Sequence, residues 1–121
     1  PMQRKFLLIG TPADTAVEAK KLQTLGFVWI KQLNSAKAIT TDLLHKVVAS
    51  KITDVVCIRT RNGETCHWAV RLTNILIDEV PVKVFGVNIP PHHQKIKHKG
   101  ASLFTPITCS MEINPIKKEA A

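Results

Sequence analysis

Residues 52–77 read ITDVVCIRTRNGETCHWAVRLTNILI, two apolar and partly β-branched stretches on either side of Arg61-Asn62-Gly63-Glu64. Asn-Gly is the preferred centre of a two-residue hairpin loop, because both central residues must take positive φ. The stretch therefore predicts paired strands from Ile52 to Thr60 and from Thr65 to Ile77. Such a turn sets a register. Arg59 faces Cys66, Cys57 faces Trp68 and Val55 faces Val70, while Ile58, Val56 and Asp54 face His67, Ala69 and Arg71. Alternation then turns Cys66, Trp68, Val70 and Leu72 inward and leaves His67, Ala69, Arg71 and Thr73 on the more polar face. On this reading Asp54 and Arg71 form an exposed cross-strand pair, and Asp54→Ala costs little.

Upstream, Arg4 to Ile9 is apolar on both faces, as a buried strand is. Gly10 breaks it, and Thr11-Pro12-Ala13-Asp14 carries a cap, a first-turn proline and a dipole-favoured acid. The helix this opens runs to about Leu25, with Ala16, Val17, Ala19, Leu22 and Leu25 facing inward and Gly26 as its stop. Phe27 to Ile30 reads as a second strand. A second helix begins at Ser35 or Thr41, with Ile39, Leu43 and Val47 four apart. Downstream of the hairpin, Val82 to Val87 is a further strand. Pro90-Pro91-His92-His93-Gln94-Lys95-Ile96-Lys97-His98-Lys99-Gly100 is a basic loop, and a last strand through Ser102 to Thr105 breaks at Pro106. The expectation is one domain over residues 1–113 with a frayed tail over 114–121. Its class is α+β, a mixed curved sheet or partly open barrel with two helices.

The 121 residues hold 17 Lys+Arg against 9 Asp+Glu, a net charge of +8. So basic a small domain points to an acidic partner, with nucleic acid the first candidate. No apolar run of about 18 residues exists to span a bilayer, and no membrane partner is expected. Cys57, Cys66 and Cys109 contain no C-x-x-C pair and read as reduced thiols in a reducing, cytoplasmic compartment.

A lone Gly10 lacks both the three-glycine dinucleotide spacing and the Gly-Lys-Ser/Thr of a phosphate loop, so it reads as an ordinary strand-to-helix turn. Neighbouring Cys66 and His67 on a strand point to opposite faces and cannot share an ion, and His92, His93 and His98 have no nearby carboxylate. No metal and no cofactor are expected. Asp42 and His45 are a helix-surface pair, and no catalytic residue is assigned. The candidate nucleic-acid contacts are Arg59, Arg61, Arg71, His92, His93, Lys95, Lys97, His98 and Lys99. With four Phe, two Trp and no Tyr, a multi-aromatic stacking sheet is excluded. Trp29 and Trp68 remain as lining for a single base pocket, or as core.

The segments Lys5-Phe6-Leu7-Leu8-Ile9, Phe27-Val28-Trp29, Asp54-Val55-Val56-Cys57-Ile58 and Trp68-Ala69-Val70-Arg71-Leu72, in this order, resemble the PUA-like β-barrel superfamily, which includes the YTH, EVE and ASCH domains. The resemblance is one of element order over about 100 positions, and the Gly-x-Lys-x-x-Glu-x-Arg signature of ASCH domains is absent. It implies RNA or modified-base binding in a pocket between barrel and helices, with Trp29 and Trp68 as the available cage residues. The expected function is therefore non-enzymatic nucleic-acid binding, RNA ahead of DNA. The alternatives are a small ribonuclease or nucleotide-processing enzyme using the His92–His98 loop with Lys99, and a module that binds an acidic protein.

Overall fold

Strand β1 (Lys5–Ile9) is buried along almost its whole length, because it lies between two parallel neighbours and under layers on both faces. The computed structural model describes residues 3–34, 40–59 and 64–113, with the backbone alone for 64–66. β1 leads through α1 (Pro12–Thr24) to β2 (Trp29–Leu33), then α2 (Thr41–Ala49), β3 (Asp54–Ile58), α3 (Glu64–Glu79) and β4 (Lys83–Val87). A short α4 (Pro91–Gln94), the two-residue strands β5 (Lys97–His98) and β6 (Ala101–Ser102), and β7 (Thr105–Ile107) follow. A 3-10 turn, Ser110–Glu112, ends the described chain.

The main sheet is parallel throughout, in the order β2-β1-β3-β4-β7. Side chains alternate along each strand, and the core divides accordingly. Leu7, Ile9, Val55 and Cys57 pack with Val47 of α2 and Ala69, Leu72 and Leu76 of α3. Phe6, Leu8, Val56 and Ile58 pack with Ala19 and Leu22 of α1 on the opposite face. The expectation of helices and sheet in one small α+β domain holds; the sheet stays open, with β2 and β7 as edges, and does not close into a barrel. Pro106 is tolerated because β7 is an edge strand.

The hairpin over residues 52–77 is not formed. Its first strand exists as β3, but 64–79 is a sixteen-residue helix. Ala69, Leu72, Thr73 and Leu76 are all buried, at the i, i+3, i+4, i+7 spacing of a helix face, whereas Trp68 and Val70 are only half-buried. Cys57 therefore meets α3 across a strand–helix interface, its Sγ 3.3 Å from Thr73 Oγ1, rather than facing Trp68 in a ladder. The physical reason lies in β3 itself. All five of its residues are buried, and a strand covered on both faces needs parallel neighbours and a crossover helix. Arg61, Asn62 and Gly63 lie outside the described residues, as do the tail 114–121 and the alternative helix start at Ser35.

The hairpin that does form is β5–β6, with Lys97 opposite Ser102 and His98 opposite Ala101. Its two loop residues, Lys99 and Gly100, have φ of 52° and 84°, the doubly positive pattern of the tightest hairpin turn.

Asp54 does not meet Arg71. It is 1 % exposed at the amino end of β3, where Arg4 Nη2 donates to Oδ2 at 2.6 Å and Nε to Oδ1 at 3.2 Å. The Arg4 guanidinium lies over the rings of Phe6 and Phe27, at 5.2 and 5.1 Å. Arg71 is exposed on α3.

The first helix starts as expected. Thr11 Oγ1 accepts from the Asp14 N–H, Pro12 opens the helix, and Gly26 at φ 100° follows it. Its inward face differs: Thr15, Glu18, Ala19 and Leu22 are buried, while Ala16 and Val17 are exposed. Glu18 is buried because its Oε1 accepts the Ser110 N–H at 2.7 Å and Oε2 accepts from Lys21 Nζ at 3.1 Å. This contact fastens the 3-10 turn onto α1.

Gly86 in β4 has no room for a side chain. A Cβ there would lie 2.5 Å from Cδ1 and 2.9 Å from Cγ1 of Ile89, itself 4 % exposed. Gly86→Ala is expected to lower stability by about 1–3 kcal/mol through overpacking. Urea denaturation checks this, and Ile89→Val in the same chain should recover part of the loss by removing Cδ1.

Candidate nucleic-acid interface

In an open parallel sheet, ligands bind outside the carboxyl ends of the strands, near the point where strand order reverses. Here β1 and β3 flank that point. The turn Gly10-Thr11 leaves β1 there. A Cβ on Gly10 would stand 3.2 Å from Ile58 Cβ, so the ends of β1 and β3 are in close contact. The polar groups around this turn satisfy one another. Asn34 Nδ2 donates to the Gly10 carbonyl and to Thr15 Oγ1, both at 2.9 Å. The buried Thr15 hydroxyl also lies 2.7 Å from Gln32 Oε1 and 2.9 Å from the Thr11 carbonyl.

One strand further along the same edge, Arg59 extends β3, its N–H donating to the Val87 carbonyl at 3.1 Å, and its side chain is exposed. The β4–α4 turn brings His92 and His93 to this edge, and the first turn of α3 brings His67. The His67 and His93 rings meet edge to face, centroids 5.3 Å apart, and His92 and His93 lie 4.2 Å apart. His67 and His92 are exposed. His93 is 5 % exposed, and its Nδ1 is buried with no hydrogen-bond partner.

Burial, and then the neighbouring His92 and His67, push the His93 imidazole below its ordinary value of 6.5. The folded protein then binds fewer protons here than the unfolded chain. Stability should be at its plateau above the unfolded value and fall as pH drops from about 6.5 toward the lower folded value. Thermal melts between about pH 7.5 and pH 5.5 are expected to show this decline, and His93→Gln is expected to make it shallower. An identical slope in the variant would remove His93 as its source.

The basic loop is divided between the two ends of the fold. His98 and Lys99 sit at the far end of α3, where His98 Nε2 is 3.0 Å and Lys99 Nζ 3.4 Å from Asp78 Oδ1. The His98 hydrogen bond, with Lys99 beside it, holds the Asp78 carboxyl below its ordinary value. The histidines of the ribonuclease alternative are thus not gathered: His92 and His93 belong to the carboxyl edge, His98 to the β5–β6 hairpin. Lys95 and Lys97 are exposed and, among the described residues, have no acidic partner. Arg61 lies outside the described residues.

Trp29 opens β2 at the amino edge, with Lys5 Nζ 5.6 Å from its ring centroid, whereas Trp68 stands one turn into α3. Both rings are half-buried against the core. Two clefts open at the amino edge. One of about 580 Å³ has Arg4, Lys83, His98 and Glu112 in its wall. The other, of about 690 Å³, is lined by Arg4, Lys51, Asp54 and Lys83 among others. Neither contains a tryptophan. Sequence reasoning missed the meeting of His67 with His92 and His93, since 25 residues separate them in the chain and a hairpin placed His67 elsewhere.

Among the described residues, no group of three or more His, Cys, Asp or Glu side chains is arranged to hold a metal ion. No helix there is long and apolar enough to cross a membrane. Comparison with protein-family models, with curated proteins and with solved structures finds no match to this chain.

Proposed function

We propose that this domain binds nucleic acid without catalysing a reaction on it, with RNA as the favoured polymer. The observation that carries the reading is where the acidic residues are. Glu18, Asp54 and Asp78 are held by cations of their own and Glu112 by Thr108 and Cys109, so none of these four acids neutralises Lys95 or Lys97. Lys95 precedes the β5–β6 hairpin and Lys97 opens it, neither with an acidic partner among the described residues, and Arg59 adds a cation at the sheet edge. Exposed cations of this kind neutralise phosphates and release condensed counterions, a term that dominates non-specific affinity and carries no base information.

The test is fluorescence anisotropy with single-stranded RNA, single-stranded DNA and duplex DNA over a salt series. Log affinity should fall linearly with log salt. Lys95→Ala with Lys97→Ala should flatten the single-strand slope by about 1.4 units, at about 0.7 per contact, with equal loss for unrelated sequences. Lys20→Ala, on the exposed face of α1, should change the slope far less. An unchanged slope in the double variant moves the contact surface elsewhere, and no binding by the parent at low salt overturns the reading in favour of an acidic protein partner. Gel analysis of the RNA after incubation checks the other half. The RNA should remain intact, and cleavage that disappears in His92→Gln would establish the enzymatic alternative.

A further inference from the structure

We infer that the imidazole cluster His67–His92–His93, with Arg59 at the same sheet edge, is a binding site for a phosphate monoester group, such as the terminal phosphate of a nucleic-acid strand or of a mononucleotide. This rests on the nucleic-acid reading only for the polymer, not for the phosphate.

Three observations converge on the cluster. First, among the described residues none of its rings has a carboxylate partner, in contrast to His98, which Asp78 holds at 3.0 Å. A histidine kept for structure alone is ordinarily tied to a carboxylate or a carbonyl; here three rings from two separate elements meet one another instead. Second, the orphaned Nδ1 of His93 is a buried polar atom without a bond, which destabilises the empty state. An oxygen-rich anion seated against the exposed His67 and His92 rings brings acceptors to this point. Third, the cluster lies at the carboxyl edge of the sheet, where α3 begins. Arg59 leaves β3 on that edge as a permanent cation. Imidazole N–H and guanidinium groups are hydrogen-bond donors, and an oxyanion is the ligand such donors fit.

A phosphate monoester suits the set better than a phosphodiester in mid-strand. It carries more charge and a free set of three oxygens, enough for two exposed imidazoles and a guanidinium together. Such contacts are made only at a strand end, so this edge acts separately from Lys95 and Lys97, which meet phosphates along a strand.

The experiment follows the histidine ring signals by NMR while inorganic phosphate is added at constant ionic strength, at about pH 6 where imidazoles are partly charged. It then compares oligouridylates of about ten nucleotides with and without a 5′-phosphate. The His67 and His92 signals should move with phosphate while that of His45, on α2, should not. The phosphorylated strand should bind about tenfold more tightly, the worth of one charge-assisted hydrogen bond. His67→Gln with His92→Gln, both exposed positions, should abolish that preference, whereas Lys95→Ala with Lys97→Ala should weaken binding of both strands and leave the preference in place. Equal affinity for the two strands together with unmoved ring signals would overturn the site and leave the nucleic-acid reading intact. Moving ring signals with no binding of either strand would overturn the polymer reading and keep the site, its ligand then being a mononucleotide or free phosphate.

Discussion

Asp54→Ala is expected to lower stability by about 3–5 kcal/mol, the range for removing one partner of a buried ion pair. Against a total of about 5–15 kcal/mol for an ordinary domain, that is a large fraction. The cost arises mainly from what is left behind. Arg4 is 8 % exposed, and its guanidinium loses both forked bonds to the carboxylate while remaining under Phe6 and Phe27. The Thr53 hydroxyl loses its 2.6 Å bond to Asp54 Oδ1 and as a donor is left with the longer one to the Lys5 carbonyl at 3.3 Å. Urea denaturation of parent and variant measures the difference directly, and a change below about 0.5 kcal/mol would mean the carboxylate is not buried. Replacing the pair by apolar residues, Arg4→Met with Asp54→Leu, should recover part of the loss, because the cost of desolvating the two charges is then absent.

The second large effect is expected at Ala69. This residue is fully buried between α3 and β3, and its carbonyl accepts from the Thr73 hydroxyl at 2.7 Å, which in turn lies 3.3 Å from Cys57 Sγ. Ala69→Lys forces a four-carbon arm and an ammonium into that interface. The expected cost is about 4 kcal/mol or more, enough to leave little folded protein by far-ultraviolet circular dichroism. Arg71→Ala, two residues on and exposed, should stay within about 0.5 kcal/mol of the parent. The pair of variants separates strand from helix over 64–79. A strand puts positions 69 and 71 on one face, whereas a helix turns them roughly 200° apart. Equal tolerance at the two positions would contradict α3.

The two variants also mark where the sequence was ambiguous. Over Cys66–Leu72, polar and apolar residues alternate, while Ala69, Leu72, Thr73 and Leu76 keep a helical period. Both periods fit so short a run, and the Asn-Gly dipeptide tipped the local reading toward a turn. What decides between them is β3. It pairs in parallel on both sides, with β1 and with β4, and a parallel neighbour demands a crossover. That demand is non-local, since β3 pairs with residues 6–9 and 83–87.

From the sequence by itself came the elements whose signals are local and covalently close. The cap, proline and stop of α1 were legible in Thr11, Pro12 and Gly26, the buried character of β1 in its unbroken apolar run, and the excess of cations in a plain count. The tertiary structure alone decided which charges remain available and which histidines meet. Arg4 and Asp54 lie 50 positions apart, and only pairing of β1 with β3 makes them partners. His67 and His93 come together because two consecutive crossovers, from β3 and from β4, begin at the carboxyl edge of the sheet. His98, five residues from His93, is carried to the other end of α3 by the β5–β6 hairpin. Local periodicity reports which face of an element is apolar; which elements share an edge depends on strand order, which no segment encodes alone.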